Sequence, residues 1–289
     1  MQPKAGGRYI DGTLGAGGHS AGLLEASAPT GEVLAFDLDP QAIEIARVRL
    51  APFGKRVHIL QASYVEMAEG AASLGWEAVD GIVLDLGVSS MQLDTAERGF
   101  SFLQDAPLDM RFSPNAPLSA ADLVNSLSEG ELADILYRYG EERQSRRIAR
   151  AIAQNRPIAS TRQLADLVLK MIGKKERIHP ATRTFQALRI AVNGELEAVE
   201  SVLPIAIGLL RSGGRLAVIS FHSLEDRIIK ETFRRESTDC LCPPRQPVCT
   251  CGHRASIKPI HRKPLEAGEA EIQENSRARS AKLRVAEKL

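Results

Sequence analysis

Asp11-Gly12-Thr13-Leu14-Gly15-Ala16-Gly17-Gly18-His19-Ser20 carries the apolar stretch Tyr9-Ile10 into four closely spaced glycines and then into a helical pattern. Glycines at such spacing let the backbone turn sharply and approach a ligand, while the following helix aims unpaired N–H groups and a positive dipole end at it. A second apolar run, Val33-Leu34-Ala35-Phe36, ends in Asp37, 20 residues beyond Gly17, the spacing at which a carboxylate meets ribose hydroxyls in a βαβ unit. Dinucleotide enzymes share that plan, but Ser20 stands where their third glycine is expected, and Asp11 precedes the first glycine. A carboxylate there would repel a pyrophosphate and suit a ligand with a positive centre. S-adenosylmethionine, whose sulfonium and amino group are cationic, is therefore preferred over a nicotinamide dinucleotide.

The elements that must position this loop alternate along the chain. Strands are predicted near 8–11, 33–37, 57–61 and 80–86, with helices at 18–27, 40–50 and 64–74 between them. From Gly87 to about Asn193 helical periodicity dominates, broken by turn signals such as Ser113-Pro114-Asn115-Ala116-Pro117. A helix near 195–211, a stop at Ser212-Gly213-Gly214, a strand over 215–220 and a helix over 223–235 follow. Two short runs, 256–260 and 281–285, read as antiparallel closing strands. The expected fold is α/β, a mostly parallel sheet with a C-terminal antiparallel strand, divided into a core of residues 1–103 and 194–289 and an inserted all-helical domain, 104–193.

Open sheets of this kind bind ligands beyond the carboxyl ends of their strands. The glycine loop, Asp37, Tyr64, Asp85-Leu86-Gly87-Val88-Ser89-Ser90 and Phe221-His222-Ser223-Leu224-Glu225-Asp226 all fall at that edge. Tyr64 offers a flat face to an adenine ring or simply packs, and Asp85 is an acceptor towards ligand or reacting group unless it only caps a turn.

With 289 residues, 44% of them apolar, the chain can bury a substantial core. No apolar run approaches the roughly 20 residues of a membrane span, and no charged-then-apolar leader is seen, so the expected address is the cytoplasm. The formal net charge of +1 hides a segregation. Residues 1–137 carry 8 basic and 19 acidic side chains, whereas 138–189 carry 13 basic, among them Arg143, Arg146, Arg147, Arg150, Lys174, Lys175 and Arg183, against 4 acidic. That asymmetry, with Tyr137 and Tyr139 as stacking planes, points to RNA, although charged helix faces are often merely solvated.

The glycine loop, Asp85 to Ser90 with Gln92, Glu97-Arg98-Gly99-Phe100-Ser101-Phe102, Leu108-Asp109-Met110-Arg111, Tyr139-Gly140-Glu141-Glu142-Arg143, His179 to Ala187, Ser220 to Arg227 and Asn275 to Ser280 together resemble the bacterial small-subunit ribosomal RNA cytosine methyltransferase H family, also called MraW. The likeness covers nearly the whole chain. It implies a class I S-adenosylmethionine-dependent methyltransferase with an inserted helical domain, acting on the exocyclic N4 amine of one cytidine in the decoding region of 16S rRNA, free or within the small ribosomal subunit. Carried over by position, the cofactor residues are Gly17, Gly18, His19, Asp37, Tyr64, Asp85 and Gln92. The family's usual lead, roughly His-x-Pro-Val-Leu before a short helix, is not found ahead of the first strand in this sequence, which leaves open whether the cofactor pocket is fully walled.

A cytosine amine is a poor nucleophile because its lone pair is delocalised into the ring. The enzyme must hold it about 3–3.5 Å from the methyl carbon, in line with the departing sulfur, and accept a proton. Asp85 is the catalytic candidate, although the Asp-Pro-Pro-aromatic turn of many amino-methylating enzymes is replaced here by Asp85-Leu86-Gly87-Val88. Asp109, Arg111, His222 and Glu225 are further candidates, His222 being as well suited to a backbone contact as to substrate. Arg143, Arg146, Arg147 and Arg183 are expected on phosphates. A methyltransferase acting on DNA or protein, and an RNA-binding assembly factor without turnover, remain alternatives, and a homodimer is open. Cys240, Cys242, Cys249 and Cys251 hold enough sulfur for zinc, but their single-residue gaps are tighter than usual. Reduced thiols or a redox pair compete with that reading, and no metal is assigned.

Overall fold

The computed structural model describes every residue except 174–178, 245 and 247. Lys174 and Lys175 of the basic stretch thus lie outside the described residues. In chain order the elements are β1 (Arg8–Asp11), α1 (Gly18–Ala26), β2 (Glu32–Asp37), α2 (Pro40–Leu50), β3 (Val57–Gln61), α3 (Met67–Ser73) and β4 (Val79–Asp85). Six helices follow: α4 (Ser90–Asp94), α5 (Ala120–Ser126), α6 (Glu129–Gly140), α7 (Ser145–Gln154), α8 (Thr161–Ile172) and α9 (Ala181–Asn193). The chain then forms α10 (Glu195–Leu209), β5 (Leu210–Ser220), α11 (Ser223–Glu236), β6 (Ile257–Pro259), β7 (Leu265–Glu266), α12 (Glu269–Glu274) and β8 (Lys282–Lys288).

The strands form one sheet in the order β3-β2-β1-β4-β5-β8-β6, with β7 also paired to β8. The first five strands of that path run parallel, and β8 runs antiparallel to β5. This is the class I methyltransferase arrangement that the resemblance implied. The chain winds outwards from β1 through β2 to β3 and then returns to β4 on the other flank, so strand order reverses between β1 and β4. The crevice beyond that reversal is where such sheets take their ligands.

Strand residues alternate between two cores. Ile10, Leu34, Phe36, Ile82 and Leu84 face one side, against Met67 of α3, Val202, Leu203 and Ala206 of α10 and Ile229 and Phe233 of α11. Tyr9, Val33, Ala35 and Val83 face the other, against Leu23 and Leu24 of α1 and Ile43, Ala46 and Leu50 of α2. A period of two with both faces apolar is why these strands read as continuous hydrophobic runs. Two details of the sheet depart from the sequence reading. β5 begins at Leu210 and passes through Ser212-Gly213-Gly214: the pairing slips between Val79↔Leu210 and Gly81↔Arg215, and Gly213 takes φ +78°, so the glycines make a bulge and do not end a helix-strand loop. The short β7 was not expected.

Contacts divide the chain into one unit of Met1–Gly87 with Leu196–Leu289 and a second of Val88–Glu195. The inner boundary expected at residue 103 therefore falls at Gly87. Val88, Leu93, Phe100 and Phe102 pack into the helical core with Leu132, Leu136, Ile148, Ile152 and Leu188, which draws their segment into the second unit. Serine caps start four of its helices: Ser89 on Gln92 N–H at 3.2 Å, Ser119 on Asp122 N–H at 3.2 Å, Ser128 on Glu131 N–H at 3.3 Å and Ser160 on Gln163 N–H at 3.3 Å. Among the described residues no helix is long and apolar enough to cross a membrane.

Candidate cofactor site

The loop after β1 is held by bonds that leave the first turn of α1 open. Gly12 N–H donates to Val83 O at 2.9 Å and Leu14 N–H to Phe36 O at 2.8 Å, stitching the loop to β4 and β2. A Cβ at Gly12 would run into Leu84 Cδ2, and Tyr64 Cβ would be 3.1 Å from it, so this glycine is required by packing and brings Tyr64 beside the loop. Gly17, at φ +80° and ψ 20°, is the N-cap of α1, and no side chain caps that helix. A left-handed residue there favours glycine. The uncapped first turn retains N–H groups for a ligand.

Three carboxylates stand at this edge in different states. Asp11, read from the sequence as facing a cationic ligand, is instead wholly buried. It accepts from Ser20 Oγ at 2.7 Å and Thr13 N–H at 3.2 Å, and burial pushes its carboxyl above the usual range against the pull of the Ser20 bond. Its role is to brace the loop to the helix. Asp37 ends β2 and is partly exposed. Its Oδ2 accepts from Gly15 N–H at 2.8 Å and its Oδ1 from Asp39 N–H at 2.9 Å. Each oxygen keeps a second lone pair, which leaves capacity for a pair of hydroxyls. Burial raises its carboxyl too, opposed by those two backbone bonds.

Asp85 ends β4, next to the strand-order reversal. Its N–H donates to Thr13 Oγ1 at 2.7 Å, a link between the two loops that the sequence reading missed; the only signal for it is a hydroxyl two residues past Asp11. Asp85 Oδ2 lies 3.2 Å from His19 Nε2, whereas Oδ1 is buried with no partner among the described residues. A buried acceptor without a donor has an unmet hydrogen-bonding demand, which a bound amine would satisfy. The Asp85 contact raises the His19 imidazole above its ordinary value, in spite of partial burial. The sign follows: the stabilisation from this ion pair is fully present below the ordinary imidazole pKa of about 6.5 and is lost as pH rises through the elevated folded value. An NMR titration should place the His19 pKa above that of a free imidazole and return it towards that value in Asp85→Asn; identical titrations in both proteins would show that the pair does not form.

Tyr64 opens the turn after β3, behind Ser63, whose Oγ accepts from Val65 N–H at 3.4 Å. Loop, Asp37, Tyr64 and Asp85 thus share one edge of one unit. Gln92 belongs to the other unit, where its Oε1 accepts from Ser89 N–H at 3.0 Å and its N–H donates to Ser89 Oγ at 3.2 Å in the capping box of α4.

Other residues singled out from the sequence hold architecture. Arg111 grips Asp109 through Nε to Oδ1 at 2.9 Å and Nη2 to Oδ2 at 2.7 Å, and Nη1 donates to Ala116 O. Burial opposes ionisation of Asp109, but the Arg111 bonds prevail and hold its carboxyl below the usual range. Arg98 donates to Arg111 O and Phe112 O, both at 2.9 Å, completing a strap in the helical unit. His222 and Glu225 form the N-terminal capping box of α11: Glu225 N–H donates to His222 Nδ1 at 3.4 Å and Phe221 N–H to Glu225 Oε2 at 2.9 Å. His222 Nε2 is 3.1 Å from Glu225 Oε1 but makes no hydrogen bond. On α7, Ile148, Ala149, Ala151 and Ile152 are buried while Arg146, Arg147 and Arg150 are exposed, and Arg143 just before it is exposed as well. Arg183 is exposed on α9.

The chain is 56% identical over 295 residues to the ribosomal RNA small subunit methyltransferase H of Geobacter sulfurreducens, covering 100% of this chain and 95% of that protein. It is 54% identical over 295 residues, with the same coverage, to the protein of that name in Citrifermentans bemidjiense. The model of the MraW methylase family matches residues 1–289. Such agreement over the full length establishes that the chain belongs to the MraW methylase family.

Proposed function

We propose that the chain transfers a methyl group to the exocyclic N4 amine of a cytidine in the decoding region of 16S rRNA. The methyl donor is S-adenosylmethionine, which supplies an electrophilic methyl carried on a sulfonium. The observation that carries the reading is the edge where the uncapped first turn of α1, Asp37 and the half-partnered Asp85 meet. Those residues fit a cationic nucleoside donor: two partly exposed carboxylates face positive charge and hydroxyls, and the first turn of α1 offers N–H groups.

In this reading Asp37 receives the ribose hydroxyls, Gly17 and Gly18 let backbone approach the ligand, and Tyr64 covers the adenine. His19 lies beside one oxygen of Asp85, and the other, which has no partner among the described residues, is assigned to an amine. Asp85 then accepts a hydrogen bond from the substrate amine, localising its lone pair, and takes the proton released once the new bond forms. Gln92 is included with the cofactor residues by its place in the family motif. The helical unit, residues 88–195 by its contacts, recognises substrate through Arg143, Arg146, Arg147 and Arg183 on phosphates. Discrimination of one cytidine then rests on RNA shape and on an unstacked base.

Two experiments follow. Labelled S-adenosylmethionine, incubated with the chain and either naked 16S rRNA or small subunits, should leave label in N4-methylcytidine after digestion to nucleosides; label in another nucleoside, in DNA or in protein overturns the assignment. Arg146→Ala with Arg147→Ala should weaken RNA binding and lower the slope of log affinity against log salt by about 2, roughly one per lost phosphate contact. Both side chains are exposed, so thermal stability should not change. An unaltered slope would take these residues off the RNA.

A further inference from the structure

The sequence reading assigned no metal, but the segment between α11 and β6 brings Cys240, Cys242, Cys249 and Cys251 together with all four Sγ atoms within 4.8 Å of one another. Cys240 and Cys249 are 3.4 Å apart, Cys249 and Cys251 3.6 Å, Cys240 and Cys251 3.9 Å, and Cys242 and Cys249 4.0 Å. A disulfide would hold its sulfurs at about 2.05 Å, and all four cysteines are free. Four thiolates about 2.3 Å from one zinc ion in a tetrahedron lie about 3.8 Å from each other. The observed separations bracket that edge length.

Backbone amides support the same arrangement. Leu241 N–H donates to Cys251 Sγ at 3.3 Å, Cys242 N–H to Cys240 Sγ at 3.4 Å and Thr250 N–H to Cys242 Sγ at 3.4 Å. Amide bonds to sulfur disperse thiolate charge and orient the ligands of a metal. Neutral thiols are weak donors and acceptors. On a largely exposed loop they give little reason for four sulfurs to gather. His253, the nearby alternative ligand, is engaged elsewhere, its Nε2 2.9 Å from Arg235 O at the end of α11. Tetrahedral S4 coordination is the preference of zinc among the common divalent ions.

Topology says what such a site does. α11 follows β5 and leads away from the edge where Asp11, Asp37 and Asp85 end their parallel strands, and β6, antiparallel to β8, begins at the opposite edge. Ser256 N–H donates to Glu236 O at 2.8 Å and Leu289 N–H to Ser256 O at 3.1 Å, fixing the base of the cysteine loop at that far edge. We infer that Cys240, Cys242, Cys249 and Cys251 bind one zinc ion as a tetrathiolate clip that closes the α11–β6 excursion, remote from the methyl-transfer edge.

The full chain, purified without chelator or added metal, should contain one equivalent of zinc by elemental analysis. It should release it when the thiols are modified, and exchange it for cobalt(II) with the charge-transfer and d–d bands of a tetrahedral tetrathiolate. Cys249→Ser with Cys251→Ser should lose that equivalent and unfold at lower temperature, while affinity for S-adenosylmethionine stays within about threefold, under 0.7 kcal/mol. Should the doubly substituted chain fail to fold, the cobalt spectrum of the unaltered protein decides. Four free thiols that retain no zinc on reconstitution, iron in its place, or disulfides would overturn the zinc assignment; parallel loss of zinc and cofactor affinity in a folded variant would overturn the far-edge clip.

Discussion

Asp37→Ala is expected to weaken S-adenosylmethionine binding by roughly 10²-fold. The carboxylate has two jobs, and alanine removes both. It holds the Gly15 and Asp39 N–H groups at 2.8 and 2.9 Å, which sets the glycine loop against the end of β2. Its remaining lone pairs are assigned to the ribose hydroxyls. Hydrogen bonds to a charged group contribute about 1.5–3 kcal/mol each. Loss of about 3 kcal/mol across the pair corresponds to roughly a hundredfold in affinity. Asp37→Asn keeps one carbonyl oxygen as acceptor and should lose only about tenfold. Isothermal titration gives both values, with thermal unfolding showing that the variants remain folded. Wild-type affinity in Asp37→Ala would remove the ribose assignment.

The second large effect belongs to Asp85. If Oδ1 receives the substrate amine, Asp85→Ala should lower kcat by about 10²–10⁴, the usual reach of a positioned acid or base. Asp85→Asn separates hydrogen bonding from proton acceptance. An amide oxygen still orients the amine but cannot take its proton, so Asp85→Asn should be as slow as Asp85→Ala. A loss confined to cofactor affinity, with kcat unchanged at saturation, would leave Asp85 a binding residue only. The buried Oδ1, unpartnered among the described residues, is what motivates the distinction, because most buried side-chain oxygens in folded proteins have a hydrogen-bond partner.

The sheet was legible in the sequence because its strands are buried on both faces. Val33-Leu34-Ala35-Phe36 sends alternate side chains to two different cores, and such a run stands out against flanking turns. The glycine loop was equally plain. Position within the loop was not: Asp11 and Asp37 are both acids at strand ends, and only burial tells the brace from the residue with spare lone pairs. Asp109 and Arg111 stood in the sequence as further candidates for the reacting site, and the structure has them bonded to one another. Several motifs that identify the family turn out to be architectural. At Gly140 a Cβ would lie 2.6 Å from Arg183 O, so this glycine permits the close approach of α6 to α9. The boundary at Gly87 escaped prediction because residues 88–103 hold only short helical pieces, and their allegiance is decided by tertiary packing of Phe100 and Phe102. Local periodicity carries no record of such long-range choices.

Amide hydrogen exchange of the full chain with and without saturating S-adenosylmethionine tests the central claim, that the methyl donor is held at the carboxyl ends of β1, β2 and β4. Protection should concentrate in Gly15–Ser20, in Asp37–Asp39 and around Asp85–Gly87, with no change at the cysteine loop. Protection elsewhere, with these three segments exchanging as fast as in the free protein, would contradict it.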